Sequence, residues 1–344
     1  MKKVLRFIVT VLNWVVIGAI VLAYLAPFIN PQTSWLIAFL GLSFKAWIVT
    51  LIVFTFLGFL LKTKVLGKNA FIIAIGIPFI LRLVSIHAQP TETGNFKVVS
   101  FNTYALGQYE GLNTSAEIQS YLTAKSVDCA ALIEYRFKKG NIDKKHYPFQ
   151  VKIRTHPSSD NGILLVSKRR VVGSGSVPFT HGTYNMAGYI DVDFDGQIIR
   201  IYGIHLETTR VKPRDFHNLK RMDFDSTYSE NAKNVAQRLK MSMEIRASQV
   251  EDIKAHMKDC KHPIIIMGDF NDTPQSYTYQ QLKKDKRDAF VVAGKGFDAT
   301  FLKPFPFLRI DYILADDAIT PVHYSSTDSI YSDHKLIFAD LYIK

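Results

Sequence analysis

"HPIIIMGDFNDTP" occupies residues 262–274. An unbroken apolar run, 263–267, leads into Gly268, Asp269, Phe270 and Asn271, and Pro274 then interrupts the chain. Such a run, bounded by turn residues, reads as a buried strand of a layered sheet. A plain turn would account for Asp, Asn and Pro after a strand. What needs explaining is why a buried strand delivers a carboxylate and an amide at its tip.

Other strand-like stretches repeat the pattern. They are "FKVVSFN" (96–102), "CAALIEY" (129–135), "GILLVS" (162–167), "GYIDVDF" (188–194), "IIRIYGIHLE" (198–207), "RIDYILA" (309–315) and "LIFADLYI" (336–343), each flanked by turn chemistry such as "DFDGQ" at 193–197. Helical stretches intervene at 114–126 and 231–258; in the second, Val235, Leu239, Met243, Ala247, Val250 and Ile253 approximate one apolar face. Strands mixed with helices predict a layered α/β or α+β domain over 96–344.

The first quarter is different. Residues 1–85 hold eight of the 42 Lys and Arg and no acid, so 34 bases face all 30 acids beyond them, and eight of the twelve net positive charges lie in this quarter. The basic balance therefore gives little support to a nucleic-acid-binding face. It accompanies apolar tracts instead. Residues 7–29 are uncharged and exceed the roughly 20 residues needed to cross a bilayer. Two further spans are expected at about 42–61 and 69–86, with Lys45 and Arg82 snorkelling to the interface. The first tract is too long for the core of a signal peptide, and no small-residue cleavage site follows it. Lys2, Lys3 and Arg6 precede the first span, and Lys62, Lys64 and Lys68 separate the second from the third. Positive connections mark the cytoplasmic side. Three spans thus put the soluble domain outside the cytoplasm, in a periplasm or extracellular space, whereas two would leave it inside. The polar stretch 87–95 reads as the linker. Cys129 and Cys260 read as buried free thiols, with a single disulfide outside the cytoplasm as the alternative, and no Cys/His cluster suggests zinc.

Polar residues recur where the apolar strands stop. Asn102, Glu134, His205, Asp269 with Asn271, Asp311, and the pair Asp333–His334 all stand at or beside such ends. Together they imply neighbouring strands converging on a solvated cleft. Oxygen donors without thiolates suit a hard cation, Mg²⁺ or Mn²⁺. Two histidines and a carboxylate suit phosphoryl chemistry, in which cationic groups stabilise the transition state and a carboxylate activates water.

"SFNTY", "ALIEY", "GIHLE", "RASQ", "GDFND", "RIDYIL" and "SDH" stand in the order found in the endonuclease/exonuclease/phosphatase superfamily. Over residues 96–343 the chain resembles these divalent-metal phosphoesterases, "GDFN" and "SDH" being the most specific matches. The resemblance implies a DNase I-like four-layer sandwich of two packed β-sheets flanked by helices. It implies Asn102 and Glu134 as the metal site, with Glu134 the direct ligand and Asp333 adding to it. His205 and His334 would contact the phosphate, Asp311 orient His334, and Asp269 activate water with help from Asn271. Asn185 sits where relatives often place a substrate-contacting residue.

Three departures accompany the match: Ile133 where Gln often precedes the metal-binding Glu, Tyr104 where DNA-repair members carry an acid, and Ile204 for the usual Thr. The second weakens any case for an abasic-site endonuclease. The expected activity is membrane-anchored hydrolysis of phosphodiesters in a nucleic acid, nucleotide or phospholipid, with no obligate protein partner. The alternatives are a phosphomonoesterase of inositol-phosphate or nucleotide type and an inactive tethered binding module. A basic, aromatic stretch at 210–224 would serve a nuclease, and the apolar 303–308 a lipid enzyme. Arg246 and Gln249 of "RASQ" are expected to organise packing rather than touch substrate.

Overall fold

The computed structural model describes residues 1–86, 93–106, 114–210, 226–302, 307–328 and 332–344. Most of the expected linker, nearly all of 210–224 and residues 303–306 lie outside the described residues. The chain forms two compact units. One comprises Met1–Leu83, Arg210–Ala247 and Asp272–Gln280, and the other Val84–Thr209, Ser248–Asn271 and Gln281–Lys344.

The first unit opens with helices α1 (Lys2–Leu25), α2 (Trp35–Leu42), α3 (Phe44–Leu60) and α4 (Leu66–Ile80). Only α1 is by itself long and apolar enough to cross a membrane, among the described residues. The second apolar tract is broken at Ser43, where α2 and α3 meet at 65°. The Ser43 hydroxyl donates to the Phe39 carbonyl at 2.9 Å and receives the Trp47 indole N–H at 3.0 Å, which stabilises the bend. The third tract is a helix of 15 residues with Pro78 inside it. Asn13 of α1 and Asn69 of α4 exchange amide hydrogen bonds at 3.0 and 2.8 Å, and Asn69 also donates to Thr55 of α3 at 2.8 Å. Buried amides among apolar helices fix register, because any other packing leaves them unpaired.

In the same unit Asp272 receives Arg246 Nε at 3.1 Å and the Thr278 hydroxyl at 2.9 Å. Gln275 Nε2 donates to the Ala23 carbonyl at 3.0 Å. Arg246 thus has the packing role expected of it.

The second unit contains, in chain order, β1 (Val84–Ser85), β2 (Phe96–Asn102), α5 (Thr114–Ala124), β3 (Cys129–Arg136), β4 (Phe149–Ile153), β5 (Asn161–Ser167), β6 (Val171–Val177), β7 (Met186–Phe194) and β8 (Gln197–His205). The helix α6 (Ser226–Lys258) enters it at Ser248, and β9 (Ile264–Asp269) follows. After α7 (Tyr277–Lys283) come β10 (Lys286–Asp288), α8 (Ala289–Ala293), β11 (Gly296–Phe297), β12 (Asp311–Asp316), β13 (Ile319–Thr327) and β14 (Leu336–Ile343).

Twelve strands make two six-stranded sheets, ordered β10-β12-β9-β8-β7-β6 and β13-β14-β2-β3-β5-β4. Each sheet is mixed: β8 and β9 run parallel in one, β2 and β3 in the other, with the remaining pairs antiparallel. Val98, Ala131, Leu165, Ile201, Ile265, Met267 and Ile313 interdigitate in one core between the sheets. On the outer face of the second sheet, Ile118 and Leu122 of α5 pack on Val99, Phe101 and Leu132. The end of α6 is joined to the first sheet by the Tyr202 hydroxyl and His256 Nδ1, 2.8 Å apart. This is the four-layer sandwich that the resemblance implied.

Strand β9 is buried along its whole length because it is central in its sheet and covered on both faces. Its apolar run is continuous rather than alternating for that reason.

Candidate active site

Every sequence-chosen site residue lies at the same edge of the sandwich. In the first sheet, Asp269 at the end of β9 is in register with His205 on one side and Asp311 on the other. In the second sheet, Asn102 ends β2 and pairs in register with Ile133, next to Glu134. His334 approaches from the segment before β14, bridged to Phe301.

Local backbone geometry sets the aim of these side chains. Gly268 has φ +149°, and a Cβ there would lie 2.0 Å from the Ile204 carbonyl oxygen, so only glycine fits before Asp269. Glu134 and Asn271 hold φ of +53° and +52°, conformations that non-glycine residues seldom adopt. At Glu134 the ladder to β5 slips between Leu132 and Tyr135, and this bulge re-aims the carboxylate. Tyr104, Ala105 and Leu106 also have positive φ, starting two residues after Asn102. Strain concentrated at one cluster is a common mark of a functional site.

The side chains form a network. Asp269 Oδ2 accepts from Asn102 Nδ2 at 3.0 Å, and its Oδ1 accepts from the Asn271 backbone N–H at 2.8 Å. Asn102 Nδ2 also reaches Glu134 Oε1 at 3.4 Å, and Asn102 Oδ1 accepts from the Tyr104 N–H at 3.1 Å. His205 Nε2 lies 3.5 Å from Glu134 Oε1 and 3.9 Å from Asp269 Oδ2. His334 Nδ1 contacts Asp311 Oδ2 at 2.9 Å, which leaves Nε2 turned towards Asp269 (3.8 Å) and Asp333 (3.9 Å). Asn271 Nδ2 donates to the Leu206 carbonyl at 3.0 Å, and Asn185 Nδ2 donates to the same oxygen at 2.8 Å.

The site is drier than a solvated cleft. Asp269 is 1 % exposed, Asp311 2 % and His334 5 %, whereas the side chains of Glu134 and Asp333 keep 25 % and 26 %. Burial pushes the Asp269 carboxyl up, with the His334 cation opposing and Asp311 adding to the rise. Burial also works against charge on His334, yet the Asp311 and Asp269 carboxylates more than offset it and lift the imidazole to about 10. The Asp333 carboxyl is raised too, first by burial and then by Glu134 and Asp269.

Four carboxylates around two imidazoles call for added positive charge. His205 Nε2, Asp311 Oδ1 and Asp333 Oδ1 are buried atoms without a hydrogen-bond partner among the described residues. Unpartnered buried polar atoms in one cluster of side chains fit a site that holds a cation and an anion. Asp269, Asp311 and His334 offer ligand atoms within 4.8 Å of one another, and so could hold a cation. Asp311 and His334 are, however, already engaged with each other, and Asp269 with two donors. Glu134 and Asp333, partly exposed and beside Asn102, are the freer oxygens for a hard cation.

Several supporting groups were not among the site residues chosen from the sequence, although Ser332 and Gln249 stand in the motifs "SDH" and "RASQ". The Thr300 hydroxyl accepts the N–H groups of Ile310 and Asp311, both at 3.0 Å, and so fixes the carboxylate that holds His334. Ser332 Oγ donates to the Asn102 carbonyl at 2.7 Å and accepts the His334 N–H at 3.0 Å, tying two site strands together. Gln249, expected to serve packing, accepts the Glu207 N–H at 2.9 Å and donates to Thr183 at 3.2 Å.

A family model described as the Endonuclease/Exonuclease/phosphatase family matches residues 99–334, more than half of the chain. A second, for a domain of unknown function, matches residues 5–83. No curated protein matches. Among solved structures, the chain is similar to an endonuclease/exonuclease/phosphatase from Beutenbergia cavernae DSM 12333, at 17 % identity and TM-score 0.50 over 72 % of this chain and 71 % of that one. It is similar to a humanised D. rerio TDP2 at 18 % identity and TM-score 0.52, covering 72 % and 98 %. The human nocturnin catalytic domain is similar at 15 % identity and TM-score 0.51, covering 72 % and 94 %. At such identities the likeness speaks for the fold.

Proposed function

The chain belongs to the Endonuclease/Exonuclease/phosphatase family, and we propose that it is a membrane-anchored, divalent-metal-dependent phosphodiesterase that hydrolyses its substrate by in-line attack of water. The observation that carries this reading is the row His205–Asp269–Asp311 in register at one sheet edge, with His334 held on Asp311.

In this reading Asp269 takes the proton of the attacking water. Its raised carboxyl range brings its basicity nearer to neutral pH, where a general base works best. Asn271, on a strained backbone and locked to the Leu206 carbonyl, helps place that water. His205 and His334 present N–H groups from two sides to the phosphoryl oxygens. Asp311 keeps His334 protonated and fixes its ring, so that Nε2–H faces the developing charge. Glu134, with Asn102 and Asp333, would hold Mg²⁺ or Mn²⁺. A cation there supplies charge neutralisation to the phosphate and leaving oxygen. No proposed catalytic position has been lost, which speaks against an inactive binding module.

The test is a panel of bis-p-nitrophenyl phosphate, DNA, RNA and phospholipids, with and without EDTA. Hydrolysis should stop with EDTA and return with Mg²⁺ or Mn²⁺. Activity that survives exhaustive chelation would overturn the mechanism.

Anchoring rests on α1 and on the apolar tracts after it. With Lys62, Lys64 and Lys68 cytoplasmic, three crossings place the catalytic domain on the far side of an inner or plasma membrane. Alkaline phosphatase fused after Lys344 should then be active and green fluorescent protein dark. The reverse pattern would mean an even number of crossings.

A further inference from the structure

Beside the site lies a cavity of about 250 Å³ that no step above uses. It is walled by β4, β6, the start of β7 and the 178–184 connection, and includes Arg154, Ser176, His181, Thr183 and Asn185. Its volume equals that of about eight waters in the liquid, at about 30 Å³ each. We propose that this cavity is a subsite for a second, non-scissile phosphate monoester on the substrate. The proposal rests on the phosphoesterase reading above and narrows it to substrates that carry two phosphates.

Four observations support it. The titratable residues of the lining, Arg154 and His181, are both basic, and no acid lines the cavity among the described residues. Arg154 is held for recognition: Nη1 donates to the Pro157 carbonyl at 2.7 Å and the guanidinium lies 4.4 Å from the Phe137 ring centre. An oriented guanidinium in the cavity wall is well suited to a phosphate oxygen.

The wall is also built rather than loose. Thr180 gives its N–H and hydroxyl to Asp252 at 2.8 and 2.6 Å, which occupies both oxygens of that carboxylate. Gln249 holds Thr183 at 3.2 Å while gripping the Glu207 N–H two residues after His205. Finally, the cavity adjoins the reacting centre. Met186, in its wall, is in register with His205. The amides of Asn185 and Asn271 bond the same oxygen at 2.8 and 3.0 Å, so they stand within 5.8 Å of each other. A substrate with its scissile phosphate at His205 would therefore reach the cavity with a short adjoining moiety.

A phosphate beside the scissile ester occurs in 5′-phosphorylated nucleic acid and in phosphorylated lipid headgroups, and the test separates the two sources. The full-length protein in detergent is assayed on matched pairs. These are thymidine dinucleotide with and without a 5′-phosphate, and phosphatidylinositol 4-phosphate against phosphatidylinositol. In one pair the second phosphate should raise kcat/KM by about tenfold or more, the measure of a charge-assisted hydrogen bond. In Arg154→Gln and His181→Gln that ratio should fall towards one, and Arg154→Lys should restore part of it. His181 is exposed, so its substitution is open to test even where Arg154→Gln fails to fold.

Equilibrium dialysis of inorganic phosphate, with EDTA present, supplies a readout apart from turnover. Arg154→Gln should bind one phosphate fewer than wild type. Hydrolysis without preference for the second phosphate in either pair would overturn the subsite and leave the phosphodiesterase reading intact. Arg154-dependent phosphate binding in a protein that hydrolyses nothing would sink the activity and keep the subsite. A preference or a binding stoichiometry unmoved by both substitutions would refute the assignment.

Discussion

Replacing Asp269 with Asn separates chemistry from architecture, and its cost can be worked from the hydrogen bonds. Asp269 accepts on both oxygens, from the Asn271 N–H at 2.8 Å and from Asn102 Nδ2 at 3.0 Å. An amide has one oxygen. If it keeps the Asn271 bond, its NH₂ faces the NH₂ of Asn102. Turning Asn102 to accept would give up the Tyr104 N–H, now 3.1 Å from Asn102 Oδ1. Either way one buried donor loses its acceptor, at about 1–3 kcal/mol. Relief from burying a carboxylate whose ionisation the site already disfavours offsets part of that. For a domain of this size about 1 kcal/mol corresponds to roughly 2–4 °C in Tm, so a fall of roughly 2–12 °C is expected, towards the lower end. Turnover should fall much further, by about 10²–10⁴-fold, as for the loss of a general base. The assay is bis-p-nitrophenyl phosphate hydrolysis at saturating Mg²⁺, beside thermal unfolding of the same full-length preparation. Near-normal turnover would remove Asp269 from the mechanism. A collapse of Tm well beyond that range would make "GDFN" a structural element.

Two further outcomes follow from buried charges. His334 is raised to about 10 and Asp269 is raised as well, so the folded protein binds more protons than the unfolded chain above the ordinary histidine range. The stability contributed by His334 is therefore fully present below about pH 6.5 and lost as pH rises towards about 10. In EDTA the melting temperature should fall across that window, and Asp311→Asn should flatten the fall; a flat wild-type profile would refute a charged His334. The second concerns Arg309, 2 % exposed, whose Nη1 meets Asp288 at 2.8 Å while Asp288 also caps the Phe290 N–H at 3.0 Å. Arg309→Met removes the guanidinium from a buried carboxylate and should cost about 3–5 kcal/mol in urea unfolding, and a loss under about 1 kcal/mol would show that the ion pair contributes little.

The fold is most legible in the sequence where burial leaves a mark. The continuous apolar run 263–267 announced a strand covered on both faces, and β9 is buried throughout. Strands such as β2, β3, β5 and β8 were legible for the same reason. The edge strands were not. "VVGSGSV" of β6 alternates half-exposed and exposed positions built largely from Gly and Ser and carries little apolar signal, and "FQVKI" of β4 alternates apolar and polar residues over only five positions, which does not stand out beside the continuous buried runs. Both wall the Arg154 cavity, which depends on their place at one sheet end and so was invisible in the sequence. The polar residues at strand ends were legible as residues, since their position after an apolar run needs a cause. Their arrangement was decided by tertiary structure. Strand order puts His205, Asp269 and Asp311 side by side, although 106 positions separate the first from the last. Burial, which comes from the packing of two sheets around that edge, pushes the Asp269 carboxyl up, while its carboxylate neighbours lift His334. Neither shift belongs to a residue type; both arise because elements distant in the chain exclude water from the same few ångströms.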